Sequence, residues 1–141
     1  MRTVMVSGGF DPLHPGHVDL FEAARKLGDR LIVAVNSNEW LIKKKGYIFM
    51  TRACRATMVL ALRDVDGVAC GWRDDDGTAC EALWQVRPQV FANGGDRDTP
   101  NEYEDYVCRL LHVEQVFGVG GEKTWSSSGL VASACDARGR R

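Results

Sequence analysis

Residues 3–35 read TVMVSGGFDPLHPGHVDLFEAARKLGDRLIVAV. Thr3–Ser7 is a short apolar run of the kind a buried strand needs. Gly16–Leu27 places Leu20, Phe21, Ala24 and Leu27 on one helical face, and Gly28 stands where a C-terminal cap belongs. Leu31–Val35 is apolar throughout, as a strand covered on both faces must be. The connecting loop, Ser7–His17, carries three glycines, two prolines and two histidines, a composition for binding rather than for packing.

The same alternation continues downstream. A short helix is expected over Asn38–Lys44, with Lys43–Tyr47 (KKKGY) as a loop. Thr51 is a candidate cap for a helix reaching Arg63, with Cys54, Met58 and Leu62 on one face. Val65–Cys70 reads as a third strand, Thr78–Val86 as a helix ended before Pro88, and Val90–Ala92 as a fourth strand. Thr99-Pro100-Asn101-Glu102 has the form of a helix start, continued by Tyr103, Tyr106, Val107 and Leu110. Gln115–Val119 reads as a fifth strand, and a last short helix is expected to begin near Ser126–Ser128. Strands alternating with helices imply a parallel sheet covered on both faces. Ligands of such a sheet bind at the carboxyl ends of its strands, where strand order reverses.

Composition removes several function classes. At 141 residues and 15.6 kDa the chain is one domain's worth of sequence. Eighteen basic residues against 19 acidic ones give a net charge of −1, so neither nucleic acid nor an anionic membrane is expected as a partner. No apolar run approaches the roughly 18 residues of a membrane span. Val4–Val6 is interrupted at once by Ser7, Gly8, Gly9 and Asp11, unlike the core of a signal peptide. Five cysteines, Cys54, Cys70, Cys80, Cys108 and Cys135, are odd in number and widely spaced, so reduced, mostly space-filling thiols in the cytoplasm are expected. Trp40, Trp72 and Trp84 are read as packing or surface residues.

The loop after the first strand carries the chemistry. Glycines let a backbone approach phosphate closely, and the helix that follows offers an anion its positive dipole end. His14 and His17, three apart across Pro15-Gly16, add two side-chain donors at the same spot. A metal pair, or one structural histidine with the other exposed, is the alternative reading of this spacing. The remaining histidine, His112, lies in a helical pattern, and no third ligand cluster stands out. Neither a Walker loop nor a GxGxxG fingerprint is present.

Phe10-Asp11-Pro12-Leu13-His14-Pro15-Gly16-His17 resembles the HxGH signature of the cytidylyltransferase-like nucleotidyltransferases. Glu22–Asn38, Arg63–Val68, Arg87–Asp96 (RPQVFANGGD) and Ser126-Ser127-Ser128 resemble further segments of that family in the same order, over residues 3–133. Glu22–Asn38 looks like the same region of its glycerol-3-phosphate cytidylyltransferases and heptose-phosphate adenylyltransferases. The resemblance implies a Rossmann-like, doubly wound five-stranded parallel sheet in order 3-2-1-4-5 with helices on both faces. It implies a nucleotidyltransferase domain over residues 1–135, and the terminal stretch 136–141 is expected to be a disordered tail. It also implies transfer of CMP from CTP, or AMP from ATP, to a phosphorylated sugar or polyol such as glycerol 3-phosphate, with release of pyrophosphate. Magnesium would arrive with the triphosphate, and a homodimer is expected. A nucleotide-binding regulator without catalysis is the competing class, and keeping both His14 and His17 speaks against it.

Roles follow from the resemblance position by position. His14 and His17 would donate to the triphosphate, Gly9 and Phe10 would present backbone amides, Asp11 would hold the loop, and Gly16 would open the helix. Lys44, or its neighbour Lys45, would reach phosphates from a mobile loop, unless the run is only a solvated charge cluster. Gly94 and Asp96 would lie near base or ribose, or form an ordinary turn. Ser126, Ser127 and Ser128 would receive phosphate at a helix start, or only cap it. Arg55 matches an arginine of the relatives, and an exposed helix charge accounts for it equally well. The chain departs from its relatives at Asn93, where heptose-type members have Lys, and at Gly120-Gly121, where cytidylyl members carry an arginine and where Lys123 is the available substitute. A third departure is Trp125, at a position that is usually aliphatic.

Overall fold

The computed structural model describes residues 1–139 apart from Asp96 and Lys123. Five strands form one parallel sheet in the order β3-β2-β1-β4-β5. The strands are β1 (Thr3–Gly8), β2 (Arg30–Val35), β3 (Gly67–Ala69), β4 (Val90–Gly94) and β5 (Glu114–Val119). Six helices intervene and follow: α1 (Pro15–Arg25), α2 (Asn38–Lys45), α3 (Arg52–Leu60), α4 (Cys80–Val86), α5 (Glu102–Leu111) and α6 (Ser127–Gly139). This is the Rossmann-like sheet order expected from the sequence.

Successive side chains of a strand point to opposite faces, so each strand feeds two cores. On β1, Val4 and Val6 join Phe21 and Ala24 of α1 and Val59 of α3. Met5 points the other way, to Ala82 and Leu83 of α4 and Val107 and Cys108 of α5. Both cores are closed, and the sheet pairs β1 with β2 on one side and with β4 on the other. The chain therefore reverses direction across the sheet between β1 and β4, and their carboxyl ends diverge there into a crevice.

Several local expectations need correction. Gly28 does not cap α1; the cap is Lys26. Gly28 is required instead by close packing, because a Cβ there would lie 2.6 Å from the carbonyl oxygen of Arg2. Helix α5 starts two residues later than Thr99-Pro100 suggests: Asn101 is its cap, and its side chain accepts from the amides of Tyr103 and Glu104. The lysines expected in a loop occupy the last turn of α2, which ends on Gly46 at φ +86°. Basic side chains suit a helix carboxyl end, and glycine suits the left-handed residue after it. Helical geometry continues through Asp136–Gly139, a stretch read as tail, whose residues include no helix breaker before Gly139. Arg140 and Arg141, also assigned to the tail, lie outside the described residues.

Two helices leave part of their apolar series outside and bury a charged residue. In α3 the buried residues are Arg55 and Val59, while Cys54 and Met58 are exposed. In α5 Glu104, Val107 and Cys108 are buried, and Tyr103, Tyr106 and Leu110 face solvent. The thiols also fill less space than expected: Cys54, Cys70 and Cys135 are exposed, Cys80 is half-buried and Cys108 is buried.

Candidate active site

The crevice between the ends of β1 and β4 holds a cleft of about 650 Å³, joined to a smaller one of about 240 Å³. His14 and His17 border both, as do Gly9, Phe10 and Gly94. His14 is the residue that caps α1, with Pro15 supplying the first helical position. The backbone N–H of His14 donates to Nδ1 of His17 at 3.2 Å. This bond belongs to a capping box in which an imidazole takes the place of the usual Glu. The two rings stack at 3.7 Å, and the ring of Trp125 lies nearly parallel to that of His14 at 6.2 Å. Since Nδ1 of His17 accepts, neutral His17 carries its proton on Nε2. The amides of His17 and Val18 turn inward to the carbonyl of His14, and Pro15 has none. The imidazoles, more than the helix amides, therefore provide the donors at this helix start.

Phe10 has φ +53°, a left-handed conformation that costs a bulky residue about 1 kcal/mol or more. The twist sends its ring into the core, edge-on to His17 at 5.0 Å and to Phe21 at 5.2 Å. Gly16 is required by contact: a Cβ there would sit 3.0 Å from the His14 ring.

Asp11 is buried, and its carboxylate accepts from the amides of Phe49 and Met50 at 2.6 and 2.7 Å. It holds the segment after α2 and is not among the residues lining either cleft. Arg55 lies beside it, 0% exposed. Its guanidinium donates to the carbonyls of Gly9 and Asn36 at 2.8 Å each, to the Met50 carbonyl at 2.9 Å and to Oδ1 of Asn38 at 2.9 Å. Burial pushes its pKa down, and the charge of Asp11 works against that shift. The exposed helix charge considered for Arg55 is thus excluded: one side chain ties together the loops after β1 and β2.

The loop after β2 has a second anchor in Asp74. Its carboxylate accepts from the Ser37 amide at 2.7 Å, the Ser37 hydroxyl at 2.7 Å and Nδ2 of Asn36 at 3.0 Å. Burial disfavours the charge, but those three donors and nearby Arg52 outweigh it and hold the carboxyl below its ordinary range.

Lys44 and Lys45 line the larger cleft from the last turn of α2. Nζ of Lys44 lies 4.5 Å from the centre of the Trp40 ring, a cation–π contact. Trp40, read from sequence as a residue without a role, is part of the cleft wall. Ser126, Ser127 and Ser128 line the same cleft. The Ser127 hydroxyl donates to the carbonyl of Pro12 at 2.8 Å, and that of Ser126 accepts from the amide of Gly129 at 3.1 Å. Capping and cleft lining thus coincide at these serines.

Gly94 and Gly95 meet Gly120 and Gly121 in the smaller cleft. A Cβ on Gly95 would collide with the carbonyl oxygen of Gly121, so the loops after β4 and β5 touch backbone to backbone. Asp96 and Lys123, both singled out in the sequence, lie outside the described residues.

Sequence reasoning missed Asn36, Thr78, Arg97 and Glu104, which also line the larger cleft. Glu104 stands three residues after the Asn101 cap, where sequence alone suggests ordinary capping. Its carboxylate accepts instead from the Ala79 amide at 2.9 Å and from Nη1 of Arg97 at 3.0 Å. Among the described residues no group of three or more His, Cys, Asp or Glu is placed to hold a metal ion. No helix among them is long and apolar enough to cross a membrane.

The family model described as cytidylyltransferase-like matches residues 5–118. The FAD synthase of Aciduliprofundum boonei is 37% identical over 114 residues, covering 81% of this chain and 74% of that protein. The bifunctional protein HldE of Methylococcus capsulatus is 38% identical over 123 residues. That match covers 86% of this chain but only 24% of the HldE length. The crystal structure of the lipopolysaccharide core biosynthesis protein from Thermoplasma volcanium superposes with a TM-score of 0.72 at 25% identity, covering 87% of this chain and 99% of that one. With a family model spanning most of its length and a relative of similar size, the chain belongs to the cytidylyltransferase-like family of nucleotidyltransferases.

Proposed function

We propose that this chain transfers a nucleotidyl group from a nucleoside triphosphate to a phosphorylated sugar or polyol, releasing pyrophosphate. One observation carries the reading: the stacked His14–His17 pair stands where the two clefts join, over the carboxyl ends of β1 and β4. A reaction between two substrates needs one cleft for each and its donors between them. The nucleoside would occupy the smaller cleft, whose glycine backbone offers amides and carbonyls to a base edge. The acceptor would occupy the larger one, beside Lys44 and Lys45.

An oxygen of the acceptor phosphate attacks the α-phosphorus, and the bond from that phosphorus to the bridging oxygen breaks, so that both electrons leave with pyrophosphate. The acceptor phosphate has a second pKa near 6 and is largely a dianion at neutral pH. No protein base is required. What the site supplies is position and charge stabilisation. His17 donates from Nε2, and His14 and the lysines contribute donors and positive charge around the same phosphates. Asp11 and Arg55 act at one remove, by holding the Gly9 loop. Magnesium enters as part of the nucleotide substrate, bound chiefly by phosphate oxygens and water.

The likeness to a FAD synthase, whose product contains an adenylyl group, favours ATP over CTP. Glycerol 3-phosphate and heptose phosphates remain the acceptors that the sequence resemblance brings forward, in a cytoplasmic and homodimeric enzyme. The test is pyrophosphate release with ATP and with CTP, each with magnesium, against a panel of phosphorylated polyols and sugars. Turnover with one nucleotide and at least one acceptor is expected. A thermal shift with nucleotide but no pyrophosphate from any acceptor would instead mark a binding module.

A further inference from the structure

The part of the larger cleft formed by β4 and α5 contains three residues that the transfer chemistry leaves unused. Asn93, next to last in β4, is 5% exposed. Its Oδ1 accepts from Nη1 of Arg97 at 3.2 Å. Because Arg97 only donates, this contact fixes which way the amide faces. The other end, Nδ2, is buried and has no hydrogen-bond partner among the described residues. Arg97 does not bring net charge to the spot, since it pairs with Glu104 at 3.0 Å. Glu104 is itself 4% exposed and is held by the Ala79 amide. Asn93, Arg97 and Glu104 line the cleft together with Thr78 and Ala79.

A buried amide left without a partner is uncommon in folded proteins and calls for an explanation. Here Oδ1 of the same amide and both oxygens of the Glu104 carboxylate are held, and the group borders a cleft. The charge pattern says what is recognised. Lys44 brings positive charge to the cleft, whereas Arg97 is offset by Glu104 and Asn93 is neutral. A phosphate is drawn to the lysines and histidines. At Asn93 an anion would meet, among the described residues, a cation already paired with Glu104, and would stand near that carboxylate. A neutral oxygen meets a donor in need of an acceptor.

We propose that Asn93, oriented by Arg97 and Glu104, selects the acceptor: Nδ2 donates to a hydroxyl oxygen on the body of a monophosphorylated polyol or sugar, and acceptors with a second anionic group are disfavoured. The contact forms as the cleft closes on its occupant, because the nitrogen is covered beforehand. This assignment rests on the transferase reading given above.

The experiment compares glycerol 3-phosphate, propyl phosphate (the same chain without hydroxyls) and 3-phosphoglycerate (a second anion), with mannose 1-phosphate and mannose 1,6-bisphosphate as a sugar pair. Each is assayed with wild type, Asn93→Leu, Asn93→Ser and Asn93→Lys, by pyrophosphate release and by thermal shift beside a non-hydrolysable ATP analogue. Ratios between acceptors within one variant are the readout, so partial loss of folded protein cancels. Asn93→Leu should lower kcat/KM about tenfold for the hydroxylated acceptors and leave propyl phosphate nearly unchanged, as expected for one lost neutral hydrogen bond. Asn93→Ser should fall between, and Asn93→Lys should move preference about tenfold toward the doubly anionic acceptors. Equal losses for hydroxylated and stripped acceptors would overturn the assignment and leave the transferase reading standing. Thermal shifts that discriminate hydroxylated acceptors through Asn93, without any pyrophosphate, would keep the assignment and remove the transferase reading. Neither turnover nor acceptor-dependent shift with any compound overturns both.

Discussion

His14 and His17 are joined by a hydrogen bond from the backbone of the first to the ring of the second, 3.2 Å long. The same imidazole therefore finishes a helix and presents a donor to the cleft, and the two duties rest on different nitrogens. His17→Asn separates them. The Asn Oδ1 can take over from Nδ1 as acceptor for the His14 amide, but nothing replaces Nε2. Turnover should fall on the order of 10²-fold or more, as for loss of one preorganised donor. The melting temperature should stay within a few degrees of the parent. Unchanged turnover in this variant would remove His17 from the chemistry.

Arg55 has the opposite profile. Arg55→Leu leaves the carbonyls of Gly9, Asn36 and Met50 without their buried donor. Each such group costs about 1–3 kcal/mol, so urea denaturation should show a loss of roughly 3 kcal/mol or more. Arg55→Lys should recover only part, because an ammonium cannot reproduce the fork that serves four acceptors. A loss below about 1 kcal/mol would mean that water replaces the guanidinium at little cost.

The lysines at the end of α2 are tested by kinetics at two ionic strengths. Lys44→Ala and Lys45→Ala are each expected to lower kcat/KM, with the double variant weaker than either. A solvated charge run predicts three silent variants with altered salt dependence only. Trp40 supplies an independent signal. The Lys44 ammonium rests over its ring, and a triphosphate would draw it away. Nucleotide should change the tryptophan fluorescence of the parent, and much less so that of Trp40→Phe.

Asp74 sets a dependence on acid. Its folded pKa is depressed, so its contribution is fully present above the unfolded value of about 3.9 and is lost as pH falls through the folded value. Asp74→Asn should therefore lower stability at neutral pH, and the difference from the parent should shrink below about pH 3.9. Denaturation at pH 7 and pH 3 checks both the size and the sign.

Thiol reactivity should follow burial. Burial, with help from Glu104 and Asp105, pushes the Cys108 pKa up to about 12, and Cys80 is raised chiefly by burial. At pH 8 Cys54, Cys70 and Cys135 should react first with an aromatic disulfide, Cys80 later, and Cys108 only with unfolding.

The strands and the loop that holds the histidines were legible because continuous apolar runs and a glycine-rich turn are local signals, whereas the strand order came with the family resemblance. The faces of α3 and α5 were not. Both helices carry an apolar series that points outward, and both are turned toward a charged residue. Arg55 and Glu104 each satisfy several partners that are distant in sequence, and no periodicity reveals a partner 46 residues away such as Gly9. For the same reason Arg97 and Thr78 went unnoticed in the cleft. The lysine run illustrates a different limit: three like charges look like a loop until the helix end that favours them is known.

The backbone contact between Gly95 and Gly121 has a consequence for how this site could be altered. Side chains elsewhere in the cleft can be exchanged one at a time, each changing what is recognised. Where Gly95 meets Gly121 there is no room for a side chain, so the spacing at that point is a property of chain path. A single substitution at Gly95 would not retune that cleft but force the loops apart, moving Trp125 and its neighbours with them. Reshaping this cleft would therefore mean replacing both loops as one unit, as a matched pair of lengths and turns, and a point mutation at Gly95 should disrupt the site rather than retune it.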